Sequence, residues 1–224
     1  MEATEPRAYH HGNLRRELID AALRLFAERG DLEFTFRELA RAVGVTHNAP
    51  YRHFATRDEL LAAVREEGFA RLAREEKRAL RRAGTDPKAR VRALGEAYVR
   101  FAVEEPVLFR LVLSEGEHSK KPQKGAPTES FALLESTLEE GRVGGALRKD
   151  LSSRELALVA WALVHGLASL VSGGRLPAGK SQLHRYSDLA AAVFFEGAAA
   201  SAAAQPRAAG DKPRASRARV AARS

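Results

Sequence analysis

Polar and aromatic side chains crowd the stretch from Arg37 to Phe54, RELARAVGVTHNAPYRHF. The side chains that we expect to face outward there are His47, Asn48, Ala49, Tyr51, Arg52 and His53. Amide and guanidinium groups can pair with the edges of nucleic-acid bases, and hydroxyl and imidazole groups fit phosphate contacts. A segment with so many polar tips needs a partner or water, and a DNA duplex would supply that partner.

Two short helices joined by a glycine turn must position these side chains. Thr35 is followed by Glu38 at the spacing of a capping box, which predicts a helix from Phe36 to about Val43. Gly44 would end it in a left-handed conformation, and Thr46 can cap a third segment after a three-residue turn. This geometry matches a helix-turn-helix, whose second helix enters the major groove, although it also fits ordinary helical packing.

Pro50 conflicts with a regular helix across this segment. If Thr46 is the cap, Pro50 is the fourth helical residue, the first whose missing amide hydrogen removes an intrahelical bond. We therefore predict a loosened or 3₁₀ first turn, with regular helix only from about Pro50 onward. Residues 47–49 would then protrude toward the groove.

The rest of the chain also predicts helices. One amphipathic helix spans Asn13 to about Arg29, a linking helix starts at Thr56 and reaches the low eighties, and the last runs from Ser187 to about Ala199. We predict an all-α fold, in which a three-helix helix-turn-helix DNA-binding domain precedes a larger helical ligand-binding and dimerisation domain. The expected ranges are a flexible arm (1–11), the DNA-binding domain (12–62, continuing into the linking helix 57–82), the effector-binding and dimerisation domain (83–200, with a mobile connection at 115–128) and a disordered basic tail (201–224).

Charge and composition exclude several classes of protein. The formal net charge is +8, yet from Ala200 onward six basic residues stand against one acidic residue, while residues 1–54 carry eight of each sign. A DNA interaction near the N-terminus must therefore rest on side-chain pattern. The chain has no cysteine, its longest apolar run (156–164) is too short to span a membrane, and it shows no nucleophile elbow, phosphate loop or metal-spaced cluster. We expect a cytoplasmic protein that is not an enzyme and needs no metal or cofactor.

Three stretches of the sequence resemble a known protein family. YHHGNLRRELIDAALRLFAERG, FTFRELARAVGVTHNAPYRHFATRDELL and WALVHGLASL together resemble the TetR family of bacterial transcriptional regulators. The last stretch resembles the subgroup whose C-terminal domain is named for a Trp-His-Gly signature, here Trp161, His165 and Gly166. The resemblance implies an all-helical homodimer that represses promoters and releases DNA when a small molecule enters the C-terminal domain.

The same resemblance assigns roles around the turn. It implies that phosphates are held by Thr35, Arg37, Tyr51, His53 and Arg57, that bases are read by His47, Asn48, Ala49 and Arg52, and that Thr46 opens the segment. The family usually has lysine or glycine where this chain has His47 and Asn48, and many members have lysine at the position of Arg57. Base preferences are therefore not carried over.

We place an effector pocket and a dimer interface in the C-terminal half. The expected pocket is mostly apolar and consists of Tyr98, Phe101, Phe109, Leu111, Phe131, Leu134, Trp161 and His165. Trp161 and His165, four residues apart on one helical face, also suit plain structural packing. Dimerisation through 153–171 and 187–199 as a four-helix bundle would let two copies read an operator with two-fold pseudo-symmetry.

Two other functions fit the same residues. The chain could be a helical small-molecule binding or adaptor protein without specific DNA binding. It could instead be a nucleoid-type protein that binds DNA of any sequence through its basic tail.

Overall fold

The computed structural model describes residues 13–113 and 129–199. The predicted arm (1–11), connection (115–128) and basic tail (201–224) lie outside the described residues. Helices account for about three quarters of the described residues: α1 (Leu14–Arg29), α2 (Phe36–Val43), a 3₁₀ turn (Pro50–Arg52), α3 (Arg57–Arg82), α4 (Pro87–Glu104), α5 (Pro106–Leu113), α6 (Glu129–Val143), α7 (Ser153–Ser172) and α8 (Lys180–Ala198). A single bridge between Leu147 and Ala199 is the one β-type pairing in these ranges. The predicted all-α fold is confirmed.

Side-chain caps fix the start of α2 where the sequence placed it. The Thr35 hydroxyl accepts a hydrogen bond from the Glu38 amide at 3.2 Å, and the Glu38 carboxylate accepts one from the Thr35 amide at 2.7 Å. Gly44 ends the helix with φ of 78°, a left-handed conformation that costs little only for glycine. The length and direction of α2 thus follow from local chemistry.

α3 connects the two halves of the molecule. The Thr56 hydroxyl accepts a hydrogen bond from the Glu59 amide at 3.2 Å, as expected for a capping residue three positions before Glu59. The helix then continues for 26 residues, which corresponds to about 39 Å at 1.5 Å per residue. It begins directly after the polar segment and ends among the C-terminal helices.

The last helix begins earlier than the sequence indicated. α8 starts at Lys180 instead of Ser187, with Gly179 in an extended conformation at its cap position. The helix is therefore seven residues, or about two turns, longer at its start, and Leu183 in the added part is buried. The polar residues around Leu183 concealed these turns, and our predicted start was wrong.

Buried side chains form two clusters that meet at α4. The first joins the N-terminal helices to α4 and α5 and includes Leu18, Phe26, Leu60, Val99 and Leu108. The second lies among α4, α6, α7 and α8. The N-terminal helices therefore share a core with α4 and α5, so a movement of either group affects the packing of the other.

α7 combines a buried face with an apolar exposed face. Leu156, Ala157, Ala168 and Val171 are buried against neighbouring helices. By length and mean hydropathy α7 is also the one helix in the described ranges that could cross a membrane, although little of it is buried within the chain. Its apolar exposed face therefore needs a partner, which the dimer considered below would supply.

Candidate DNA interface and effector cavity

The polar segment after α2 contains a 3₁₀ turn where we expected regular helix. Residues 47–49 form a turn, and Pro50–Arg52 form a single 3₁₀ turn, so the predicted regular helix from about Pro50 onward is wrong. Pro50 occupies the first position of the turn, where its missing amide hydrogen costs no bond. The position that we expected to disrupt a helix is thus the one at which this turn begins.

Backbone hydrogen bonds hold the segment together. The Ala49 amide donates to the Thr46 carbonyl at 2.9 Å, and the His53 and Phe54 amides both donate to the Pro50 carbonyl at 3.0 Å. Ala49, and not the expected Thr46, occupies the cap position of the 3₁₀ turn. Thr46 contributes its carbonyl group to the preceding turn.

Most of the side chains predicted to face outward do so. His47, Asn48, Tyr51, Arg52 and His53 are exposed, whereas Ala49 is half-buried and packs against the first core cluster. Tyr51 is 57% exposed and meets the Phe36 ring edge-on, with 4.8 Å between ring centroids. Phe54 is buried beneath them. The segment therefore presents a fixed polar surface on an apolar base.

The residues expected to hold phosphates have different surroundings. Arg37 is fully exposed, and the exposed Thr35 hydroxyl also serves the capping box. Arg57 is half-buried: one guanidinium nitrogen donates to the Leu32 carbonyl at 2.7 Å, and the group lies 5.2 Å from the centroid of the Phe34 ring. Since a guanidinium has five N–H donors, Arg57 keeps donors for a phosphate while fixing the start of α3.

An ion pair stabilises the capped end of α2. Arg29 donates to Glu38 at 2.7 Å, and this bond, followed by those from the Thr35 amide and hydroxyl, lowers the pKa of Glu38 to about 2. Glu38 is thus ionised and compensated throughout the physiological range. The charge of Arg37 next to it remains available to a phosphate backbone.

A cavity opens among α3, α4, α6, α7 and α8. It encloses about 580 Å³, including the part open to solvent, and its walls are mainly apolar. Four of the eight residues predicted for the effector pocket line it: Tyr98, Phe131, Leu134 and Trp161. An apolar lining with a few polar groups suits a small organic molecule.

The other four predicted residues lie outside the cavity wall. Phe101 of α4 and Phe109 and Leu111 of α5 are buried in the first core cluster, where α5 packs against α1, α3 and α4. His165 lies behind the wall, with its ring 5.4 Å from that of Trp161 and 6.4 Å from that of Tyr98.

The Tyr98 hydroxyl links Trp161 to His165 through two hydrogen bonds. The Trp161 indole N–H donates to the Tyr98 hydroxyl at 3.3 Å, and that hydroxyl lies 3.1 Å from His165 Nδ1. Because indole is only a donor, the Tyr98 hydroxyl accepts from Trp161, and the imidazole tautomer of His165 sets the direction of the second bond. Burial lowers the pKa of His165 and raises that of Tyr98 to about 12, so both groups stay neutral. These hydrogen bonds fix the orientation of the Trp161 ring at the cavity.

Glu76 is a cavity residue that our sequence analysis missed. It is 3% exposed; the Ser130 hydroxyl donates to its Oε1 at 2.7 Å, while Oε2 has no hydrogen-bond partner within the described ranges. Burial, with a smaller contribution from nearby Glu129, raises its pKa to about 7 against the lowering effect of the Ser130 hydrogen bond. The available signal was its position in the apolar stripe of α3, four residues after buried Leu72.

Apolar side chains cover one exposed face of α7 and α8. The large ones are Leu158, Val159, Leu163 and Leu170 on α7 and Leu189 and Val193 on α8. Gly166 lies on the same stretch, and a β-carbon there would meet nothing within 4 Å. Several exposed apolar side chains on two neighbouring helices are typical of a protein–protein interface.

The fold and the polar segment define a DNA-binding protein of the helix-turn-helix class. Residues 18–64 match the model of bacterial regulatory proteins of the tetR family, and residues 91–194 match the tetracyclin repressor-like C-terminal domain. The chain therefore belongs to the TetR family of DNA-binding transcriptional regulators. The matched C-terminal range includes Trp161, His165 and Gly166.

Individual relatives agree with this placement. The chain is 26% identical to the transcriptional regulator AcrR of Shigella flexneri over 68% of this chain and 75% of AcrR. It is 31% identical to the regulator BetI of Rhizobium meliloti over 49% of this chain, and it spans about half (55%) of that protein. A solved structure of a Rhodococcus sp. RHA1 protein of unknown function superimposes with a TM-score of 0.73 and 33% identity, covering 87% of this chain and 100% of that one.

Proposed function

We propose that this chain is a repressor that binds a pseudo-palindromic operator as a homodimer and releases it when a hydrophobic small molecule enters the cavity. The observation that carries the proposal is the exposed polar surface of the segment from His47 to His53, held on an apolar base at the end of a helix-turn-helix. The tetracyclin repressor-like description of the C-terminal domain supports repression. A regulator of this kind works where the DNA is, in the cytoplasm.

The proposed contacts divide by chemistry. His47, Asn48 and Arg52 have exposed side chains with donors and acceptors for base edges. Thr35, Arg37, Tyr51, His53 and Arg57 surround them with groups that suit phosphate oxygens. Thr46 and half-buried Ala49 support the turn, with the Ala49 methyl directed largely toward the protein core.

The exposed apolar face of α7 and α8 supports a dimer. Packing against its copy would form a four-helix bundle and cover Leu158, Leu163, Leu189 and Val193. Gly166, which has open space beside it, permits close approach of a partner helix. Two copies would then place their recognition segments about 34–36 Å apart, one turn of DNA.

α3 connects the cavity to the DNA-binding surface. It begins at Arg57 beside the recognition segment and carries Glu76 into the cavity wall. Away from the cavity, α5 ties α3 to the end of α1: Arg110 of α5 donates to the Gly30 carbonyl at 3.0 Å, and Arg65 of α3 donates to the Leu111 carbonyl at 2.9 Å. A ligand that favours one arrangement of these helices must weaken DNA binding as much as DNA weakens ligand binding.

Selection of bound fragments from genomic DNA by the full-length chain tests the proposal. We expect enriched fragments to share a motif with two inverted half-sites about 10 base pairs apart. Arg52→Ala should weaken binding to the selected site by roughly 5- to 150-fold and relax one position of the motif. Arg81→Ala, which removes an equal charge from the far end of α3, is the control and should change affinity little.

Three outcomes would contradict the proposal. Enriched fragments without a common motif would indicate sequence-independent binding. Equal affinities of the Arg52→Ala and Arg81→Ala variants would place the interface elsewhere. Loss of the preference for the motif on deletion of residues 201–224 would assign recognition to the basic tail.

A further inference from the structure

The effector cavity contains one ionisable group whose charge, once formed, has no compensating partner. Of the two charged residues that line it, Arg92 donates to the Asp188 carboxylate at 2.9 Å and keeps 38% of its side chain exposed. Glu76 is almost fully buried and receives a single hydrogen bond, from a neutral hydroxyl. An ionised carboxylate in such a place is costly unless a cation approaches it.

Polar atoms without partners lie in the same wall. Glu76 Oε2 and Ser187 Oγ are buried, and neither has a hydrogen-bond partner within residues 13–113 and 129–199. Buried polar atoms are nearly always paired in folded proteins, so exceptions beside a cavity indicate a ligand with complementary groups. A carboxylate oxygen needs a donor, and a hydroxyl can donate or accept.

Aromatic rings surround this end of the cavity. Phe131 follows Ser130, the residue bonded to Glu76, and the Trp161 ring meets Phe131 edge-on with 6.3 Å between ring centroids. Tyr98 is near enough for the charge of Glu76 to raise its pKa. Aromatic faces attract cations and also pack against apolar groups, so they suit a ligand that has both.

We propose that the cavity binds an amphiphilic organic cation, whose N–H donor pairs with Glu76 and whose apolar body lies among Phe131, Leu134 and Phe194. A neutral donor would satisfy Oε2 but would leave the carboxylate charge buried and uncompensated. An anion would meet Glu76 itself and would have only the already paired Arg92 to bind. This inference rests on the proposed function, because it names the class of molecule that fills the proposed effector cavity.

Isothermal titration calorimetry with three probes of one shape tests this proposal. Phenylbutylamine, phenylbutanol and phenylpentanoate have the same phenylbutyl body and differ in the charge at one end. At pH 8 we expect the full-length protein to bind the amine at least about tenfold more tightly than the alcohol, and the carboxylate most weakly. The alcohol measures the contribution of the apolar walls.

Two variants test whether Glu76 is responsible for the preference for the amine. Glu76→Gln should reduce the affinity for the amine by about tenfold or more and leave that for the alcohol within about threefold. Retained alcohol binding shows that the cavity of the variant is intact. Glu66→Gln, which makes the same chemical change at an exposed position of α3, should bind all three probes as the unaltered protein does.

Several results would overturn the proposal. These are equal affinity for amine and alcohol, tightest binding of the carboxylate, no binding of any probe, or an unchanged preference in Glu76→Gln. The outcome is independent of the DNA experiment. If the protein selects an operator but does not prefer the amine, only the proposal of a cationic ligand is refuted. If it prefers the amine through Glu76 but selects no operator, only the proposal of a DNA-binding regulator is refuted.

Discussion

The buried carboxylate of Glu76 should make the stability of the unliganded protein depend on pH. Its pKa rises from 4.5 to about 7 on folding, mainly because burial disfavours the charged form. The folded protein therefore holds the proton more tightly than the unfolded chain does. The resulting stabilisation is fully present below about pH 4.5 and is lost as pH rises through about 7. At about 1.4 kcal/mol for each tenfold change in proton affinity, the whole effect is about 3 kcal/mol.

Glu76→Gln removes this titration while keeping the shape of the side chain. Relative to the unaltered protein, the variant should gain roughly 2–3 kcal/mol in free energy of unfolding when pH is raised from 5 to 8. The assay is urea denaturation at both pH values and at one fixed protein concentration, because dimerisation adds to apparent stability. Glu66→Gln, at an exposed site, should show the pH dependence of the unaltered protein.

The comparison between variants cancels the other groups that face Glu76. These are Lys77 and Glu129, which pair with each other, and Arg92, which pairs with Asp188. All of them are present in both proteins. If the unaltered protein and Glu76→Gln kept the same difference in stability at pH 5 and pH 8, the carboxylate would have one protonation state at both values. The account of an uncompensated buried acid, and with it the reason for a cationic ligand, would then be refuted.

Three further substitutions test the capping box, the core and the dimer face. Thr35→Ala should destabilise α2 by about 1 kcal/mol and speed its amide hydrogen exchange, whereas Thr35→Ser, which keeps the hydroxyl, should do neither. Equal exchange rates in the two variants would show that the Thr35 hydroxyl does not stabilise the helix. Gly68→Ala should lower the free energy of unfolding by about 1–3 kcal/mol, since its β-carbon would lie 2.6 Å from Val112 Cγ2, and an unchanged denaturation midpoint would show that α5 moves aside freely. The methyl group added by Gly166→Ala meets nothing among the described residues, so this variant should raise only the dimer dissociation constant in sedimentation experiments; an unchanged constant would place the interface away from Gly166.

Local signals in the sequence predict most helix boundaries because the responsible groups are neighbours in the chain. The Thr35–Glu38 and Ser152–Glu155 boxes form as their spacing indicates, and Gly30 and Gly44 end helices with positive φ. Each depends on atoms within a few residues, so tertiary packing alters it little. The start of α8 was missed because the only sign of the helix before Ser187 is Leu183. Leu183 becomes recognisable as a core residue only when the helices that pack against it are known.

The candidate sites show the same division between local and long-range information. Exposure of the segment around Tyr51 followed from its composition, whereas the 3₁₀ turn required knowing that Pro50 begins the turn and that Ala49 occupies the cap position. In the cavity, aromatic residues were identified by type. Which of them face the cavity depends on the packing of α5 against α1 and α3, to which Phe109 contributes its ring. Glu76 was missed because its position in the apolar stripe of α3, four residues after Leu72, marks a buried site only once α4 and α6 are packed against that stripe.

The position of Glu76 on α3 suggests how occupancy of the cavity could affect the distant interface. Glu76 lies nineteen residues after Arg57 on an unbroken helix, a separation of about 28 Å. A tilt of about 6° around Glu76 would displace the start of such a rigid helix by about 3 Å. An interface that needs two recognition segments at a fixed spacing tolerates such a displacement poorly. Because a ligand shifts an equilibrium only by its difference in affinity for the two states, a group paired with Glu76 is better placed to control DNA binding than one that contacts α7 or α8 alone.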